Sequence, residues 1–167
     1  MEIVIEPLGR HDRSKFTCGQ PDLDNWFRSR ASQDQKRNVA RVFVAVDPDL
    51  EVIGFYSLSS LSLSLEALPE ELAHKLPRYD AIPAALIGRL ARSESVRGQG
   101  VGELLLADAV QRILGAGLSI AVYAIVVDAK DERAATFYRE FGFREFPLRP
   151  DRLFLLTSTA QAALARS

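Results

Sequence analysis

The chain has 167 residues, 47% hydrophobic and 26% charged, with a net charge of −1, one Cys and two His. That balance excludes a disordered chain, a disulfide framework and a globally basic nucleic-acid binder. No run of about 18 apolar residues exists to cross a membrane. The acidic start offers no secretory leader, and so few Cys and His leave no metal constellation. A cytoplasmic, metal-free protein is expected, as one domain over residues 1–167.

Residues 2–6 alternate as a short strand does. A helix is predicted over 22–36, with Asp22 as its N-cap and Leu23, Trp26 and Phe27 at helical spacing. Arg41–Val46 is β-branched and aromatic, hence a strand, and Asp47-Pro-Asp49 is a turn. Val52 to Leu65 reads as a second strand, whose Ser-Leu alternation gives one dry and one wet face. Strand, turn and strand make a hairpin. A short helical piece over 69–74 and a Pro-bounded loop, Leu76–Pro83, lead to a strand over 84–91. Gly98, Gly100 and Gly102 then open a helix with Leu104, Leu105, Ala109, Ile113 and Leu114 on its apolar face, ended by Gly115 and Gly117. Ser119–Val127 is a near-continuous apolar run, as expected of a strand covered on both faces. Asp131–Glu140 is a helix with Gly142 as its C-cap. Phe143–Phe146 and Leu153–Thr157 are two further strands, and the Ala-rich end of the chain is expected to fray.

The most informative segment is Leu90-Ala-Arg-Ser-Glu-Ser-Val-Arg-Gly-Gln-Gly-Val-Gly102. It sets a strand, a glycine-rich turn and a helix start in succession. The first helical turn leaves amide N–H groups without intrahelical partners, and with the helix dipole they attract anions. Glycines admit positive φ and a close approach, and an Arg at the mouth adds a donor fork. Gly-rich turns also join strands to helices without binding anything. No Gly-Lys-Ser/Thr follows, so this is not a Walker loop, and its spacing is wrong for a dinucleotide fingerprint.

The spacing Arg97-x-x-Gly100-x-Gly102 resembles the pyrophosphate loop of the GNAT superfamily of acetyl-CoA-dependent N-acetyltransferases. The likeness continues through Asp128-Ala-Lys-Asp-Glu-Arg-Ala-Ala-Thr-Phe-Tyr-Arg-Glu-Phe-Gly-Phe143, which has that superfamily's usual ending. Many members carry Asn where Asp131 stands, and Asp caps a helix equally well. The resemblance implies an α+β GNAT fold: a mixed, mostly antiparallel sheet with two splayed central parallel strands, flanked by helices. It implies acetyl-CoA as cosubstrate, held by Leu90, Ala91, Arg92, Val96, Arg97, Gly98, Gln99, Gly100, Val101, Gly102, Asp128, Ala134 and Phe137. It also implies Tyr138 as the general acid on the departing sulfur. A main-chain N–H of the Leu90-Ala91-Arg92 strand end is the implied oxyanion donor. An arbitrary Tyr at this helical spacing would be a core residue.

Four further segments are similar to one branch, the GNAT toxins of bacterial type II toxin–antitoxin modules. They are Phe16-x-Cys18-Gly19-x-x-x-Leu23-Asp24-x-Trp26-Phe27, Lys36-Arg-Asn-Val-Ala-Arg-Val-Phe-Val44, Leu76-Pro-Arg-Tyr-Asp-Ala-Ile-Pro83 and Arg89-Leu-Ala91. The branch implies acetylation of the α-amine of aminoacyl-tRNA, which halts translation. It implies a ribbon-helix-helix antitoxin as partner, with operator DNA bound only through that antitoxin; the sequence leaves open whether the chain forms a homodimer. Arg92 departs from the Val usual in the branch. Lys36, Arg37, Arg41, Arg78, Arg89 and Arg92 are the candidates for tRNA phosphates, although solvated faces and salt bridges suit each of them equally. Trp26 and Phe27 read as core or dimer contacts rather than base-stacking groups, and Cys18 as a small buried hydrophobe rather than a nucleophile.

No base stands in a diagnostic position; Glu66 and Glu94 suit the surface. An α-amine, with a pKa of about 7.7–8.0 against about 10.4 for Lys, needs a base least. The competing reading is a housekeeping acetyltransferase acting on a small amine or a protein N-terminus. A silent acetyl-CoA-binding module is a third reading, against which the Tyr138 match argues.

Overall fold

The computed structural model describes residues 2–166. Seven strands lie in the order β1-β2-β3-β4-β5-β7-β6 in one mixed sheet. The chain divides into two compact units, Met1–Ser59 with Ile87–Ala109, and Ser60–Leu86 with Val110–Ser167. Strands β3 (Val52–Leu63) and β4 (Ile82–Arg92) and helix α4 (Val101–Ala116) contribute to both.

In the first unit, β1 (Val4–Pro7) pairs antiparallel with β2 (Arg41–Val46), and β2 pairs antiparallel with β3. This is the predicted hairpin, with Phe43 opposite Tyr56 and Val44 opposite Phe55. The helix expected over 22–36 is two helices, α1 (Pro21–Ser29) and α2 (Ala31–Lys36), broken at Arg30. The Arg13 guanidinium donates to Phe27 O at 2.6 Å and to Ser32 Oγ at 2.9 Å, so it caps one helix end while bridging to the next. Asp22 is not the N-cap; Gln20 takes that place and Pro21 opens the helix, where its missing N–H costs nothing.

Trp26 and Phe27 are core residues, as read. Phe27 stacks on Phe55 at 4.1 Å, and Phe16 meets both rings edge-on at 5.0 and 5.6 Å. Helix α2 is tied to the sheet by Gln35. Its amide donates to Leu8 O and its Oε1 accepts from Val42 N–H, both at 3.0 Å. The side chain thereby completes a rung that the backbone leaves open.

In the second unit, β5 (Ala124–Asp128) and β6 (Arg144–Phe146) both pair antiparallel with β7 (Arg149–Leu156). The strand expected over 119–127 starts only at Ala124; Ser119–Tyr123 is loop, and Ile120 is exposed. Ladder pairing decides this, since the β5–β7 register begins at Ala124 opposite Leu156. The β5 core residues Ala124–Val127 are fully buried, as a covered strand requires. Strand β7 begins earlier than expected, at Arg149. Gly115 lies inside α4 rather than after it, and Leu65 falls in a 3-10 turn past β3. The outward Ser and inward Leu of the stretch 60–65 alternate as predicted.

The short α3 (Glu70–Ala73) and the turn before it pack Leu68, Leu65 and Leu72 onto Ala124, Val126, Phe146 and Phe154. Helix α5 (Glu132–Phe141) has both predicted caps. Asp131 accepts from Ala134 N–H at 2.8 Å, and Gly142 sits at φ 118, where L residues are strained. Helix α6 spans Thr157–Ala165, with Thr157 and Ala160 buried and residues 161–166 exposed.

Candidate active site

The glycine-rich turn belongs to the first unit. Strand β4 ends at Arg92, and Ser93 caps a 3-10 turn (Glu94–Val96) with its hydroxyl toward Ser95 N–H. Ser93 N–H donates to Ile53 O at 2.8 Å, fixing the turn to β3. Val96 is buried; Arg97 to Gly100 are exposed. Gly98 and Gly100 take φ of +78° and +80°, which β-carbon-bearing residues avoid. Leu104 N–H donates to Gly100 O, so α4 begins here, and the preceding amides have no acceptor inside the helix.

This turn fits a diphosphate. A Cβ on Gly98 would meet nothing within 4 Å, and one on Gly100 would come no closer than 4.0 Å, to Glu103 Oε2. Open space, bare backbone and unpaired amides at a helix start are what an anion needs. Gly54 lets α4 lie close to β3. A Cβ there would stand 2.8 Å from Leu105 Cδ1 and 3.2 Å from Ala91 O.

Tyr138 belongs to the second unit, on the buried face of α5 and 7% exposed. Phe137 meets it edge-on at 5.4 Å and Phe143 lies at 5.7 Å. Burial, then the charge of Asp128, pushes its phenol up to about 12. Such a phenol stays protonated throughout the physiological range. Asp128 accepts a two-point grip from Arg152, Nε at 2.7 Å and Nη2 at 2.9 Å, with Arg149 3.9 Å away. Arg152 escaped the sequence reading, because its place opposite Asp128 is set by the β5–β7 register and not by any local pattern. Ala134 is half-buried, its N–H held by Asp131.

The basic candidates divide. Lys36, Arg37, Arg41, Arg89 and Arg92 belong to the first unit and Arg78 to the second. Lys36, Arg37 and Arg78 are exposed. Arg41 is engaged with Gln35 O at 3.1 Å and Asn38 Oδ1 at 2.6 Å, closing the end of α2. Arg89 lies over the Trp26 ring at 4.0 Å, and burial lowers its pKa against the opposing pull of Asp34. Asp34 also takes the Trp26 indole N–H at 2.9 Å. Glu66 and Glu94 are exposed. Among the described residues no group of three or more His, Cys, Asp or Glu is placed to hold a metal, and no helix is long and apolar enough to cross a membrane.

The model of the acetyltransferase (GNAT) domain matches residues 38–145, and the chain belongs to this family of acetyl-CoA-dependent acetyltransferases. It is 37% identical to a probable toxin TacT of Sinorhizobium fredii, over 96% of this chain and 94% of that protein. It is 36% identical to a tRNA-acetylating toxin of Mycobacterium tuberculosis, over 92% and 90%. Among solved structures it is similar to AtaT complexed with acetyl-methionyl-tRNAfMet, with TM-score 0.90, 28% identity and coverage of 98% and 99%. It is similar to AtaTR bound with AcCoA, with TM-score 0.85, 28% identity and coverage of 97% and 98%. A Tyr-to-Phe mutant of AtaT bound to the C-terminus of the antitoxin AtaR matches with TM-score 0.82, 25% identity and coverage of 96% and 97%.

Proposed function

We propose that this chain is the toxin of a type II toxin–antitoxin pair, and that it transfers acetyl from acetyl-CoA to the α-amine of aminoacyl-tRNA. The carrying observation is the 37% identity to a probable TacT toxin over 96% of the chain. A tRNA-acetylating relative at 36% identity supports it, and so does a neighbour captured with acetyl-methionyl-tRNAfMet. The whole chain, residues 1–167, works as one acetyltransferase domain in the cytoplasm. An acetylated amine has no lone pair available to attack the peptidyl ester, so translation stops. A ribbon-helix-helix antitoxin neutralises the toxin, carries the pair onto operator DNA as a repressor, and meets a toxin homodimer. The AtaT–AtaR complex supports an antitoxin of some kind.

Acetyl-CoA supplies the thioester. The amides that open α4, with Arg97, Gly98, Gln99, Gly100, Val101 and Gly102, grip its diphosphate, and Val96 backs the turn. Leu90, Ala91 and Arg92 offer a main-chain N–H to the carbonyl oxygen as charge develops there. Asp128, Ala134 and Phe137 complete the binding set. The amine nitrogen forms the new bond to the carbonyl carbon while the carbon–sulfur bond breaks. Tyr138 donates a hydrogen bond to the departing sulfur. With its phenol near 12 and a thiol at about 8.5, Tyr138 stabilises the sulfur chiefly by that hydrogen bond. The proton that the amine sheds to water balances the one the sulfur finally gains. No side-chain base is needed, because an α-amine is substantially neutral near pH 7–8. Lys36, Arg37, Arg41, Arg78, Arg89 and Arg92 are the proposed contacts to tRNA phosphates.

The test is incubation of charged total tRNA with labelled acetyl-CoA, followed by identification of the acetylated amino acid. Label on one or more aminoacyl esters is the expected result. Transfer to free amines or protein N-termini, with none to charged tRNA, would overturn the proposal.

A further inference from the structure

The first segment of the toxin-like pattern, Phe16 to Phe27, has no part in the chemistry above, yet it touches the phosphate turn directly. Glu94 N–H donates to Thr17 O at 2.9 Å. The turn is therefore held from two sides, by Ile53 O on Ser93 and by Thr17 O on Glu94. Glu94 in turn accepts from Arg97 N–H, and Val96 O accepts from Gln99 N–H. A shift at Glu94 thus passes along a row of short turns to the glycines.

Thr17 is itself fixed by one buried carboxylate. Asp24, 5% exposed, takes Thr17 Oγ1 at 2.8 Å on one oxygen and Cys18 N–H at 2.9 Å on the other. Burial pushes the Asp24 carboxyl up, but hydrogen bonds from Cys18 and Thr17, with the charge of Arg28, leave it below the ordinary value. Thr17 Oγ1 also accepts from Gly19 N–H, and Arg28 holds Phe16 O at 2.6 Å. Phe16 anchors the segment in the aromatic core. Gly19 adopts φ +87°, and a Cβ there would fall 2.4 Å from Glu94 Oε1. Glycine adopts this φ without strain and leaves its backbone bare toward the Glu94 side chain.

We infer that Asp24, Thr17 and Gly19 are positioning residues for acetyl-CoA: they fix the phosphate turn through the Thr17–Glu94 contact. This rests on the reading of residues 96–102 as the diphosphate site. It gives the N-terminal pattern a role in cosubstrate binding rather than in tRNA recognition.

Kinetics and calorimetric coenzyme A binding of the full chain test it, with Asp24→Asn, Gly19→Ala and Thr17→Val; Thr17 is exposed, so its variant keeps the test open should Asp24→Asn misfold. Each variant is expected to raise the acetyl-CoA KM and the coenzyme A Kd on the order of 10-fold, with kcat at saturation and the acceptor KM within about twofold. Adding Glu94→Ala to Gly19→Ala removes the carboxylate that the new methyl meets but not the strain at φ +87°, so only part of the lost affinity should return. Variants that lower Tm yet bind coenzyme A as the wild type does, well below their melting points, would overturn the inference and leave the diphosphate reading intact. A wild-type chain that binds no coenzyme A would overturn both.

Discussion

Replacing Tyr138 by Phe deletes one hydroxyl from a site that is 7% exposed. In the folded chain burial, then Asp128, raises this phenol from 10.0 to about 12. As pH rises the unfolded chain ionises first. The stabilisation from keeping Tyr138 neutral is therefore complete below pH 10 and is lost as pH climbs through about 12. A two-unit gap at about 1.36 kcal/mol per unit is roughly 3 kcal/mol. Urea unfolding of wild type and Tyr138→Phe, at steps between about pH 8 and about pH 12, reads it out, because titrations common to both proteins cancel in the difference. Wild type should lose up to roughly 3 kcal/mol more than the variant across that window. Parallel alkaline curves would refute the reasoning, since they would mean that burial does not hold this phenol neutral.

The same substitution should lower kcat on the order of 10²-fold with little change in acetyl-CoA KM, and steady-state kinetics separate the two. The wild-type rate should rise with pH through the single pKa of the amine itself, at or below about 8; a second ionisation on the acid limb, unchanged between acceptor amines, would point to a side-chain base instead. Gly54→Ala puts a methyl against Leu105, which can turn aside, and against Ala91 O, which cannot. A loss of about 1–3 kcal/mol on denaturation is expected, with a higher acetyl-CoA KM as α4 lifts. Thr157 Oγ1 is buried without a hydrogen-bond partner, so Thr157→Val should raise stability by about 1 kcal/mol in the same assay.

What the sequence disclosed follows the range of the forces involved. The phosphate turn and both caps of α5 were legible because each is settled within a few residues, by glycine at positive φ or by a side chain reaching an amide three positions on. The break at Arg30 was not; the contacts that flank it, Arg13 to Phe27 and to Ser32, span 14 and 19 residues. Ser119–Tyr123 is apolar enough for a strand, but a strand needs a neighbour in register, and that neighbour is fixed only where Leu156 meets Ala124. Arg149–Arg152 is polar enough for a loop, yet the Arg152 grip on Asp128 extends β7 into it. Of the proposed site, the turn and Tyr138 were suggested by pattern alone. Asp24 lay inside a quoted pattern, but its task appears only once Thr17 and Glu94 are seen in contact.

The chain also carries its own optical gauge. Its single tryptophan wears a guanidinium over one face and donates its indole N–H to a carboxylate. Indole emission answers to the charges around it, so an incoming polyanion that draws Arg89 off the ring would change brightness and colour without any dye attached. Should charged tRNA engage Arg89 as proposed, its arrival and departure would be timed by stopped-flow on the unlabelled molecule, with Arg89→Gln as the silent control.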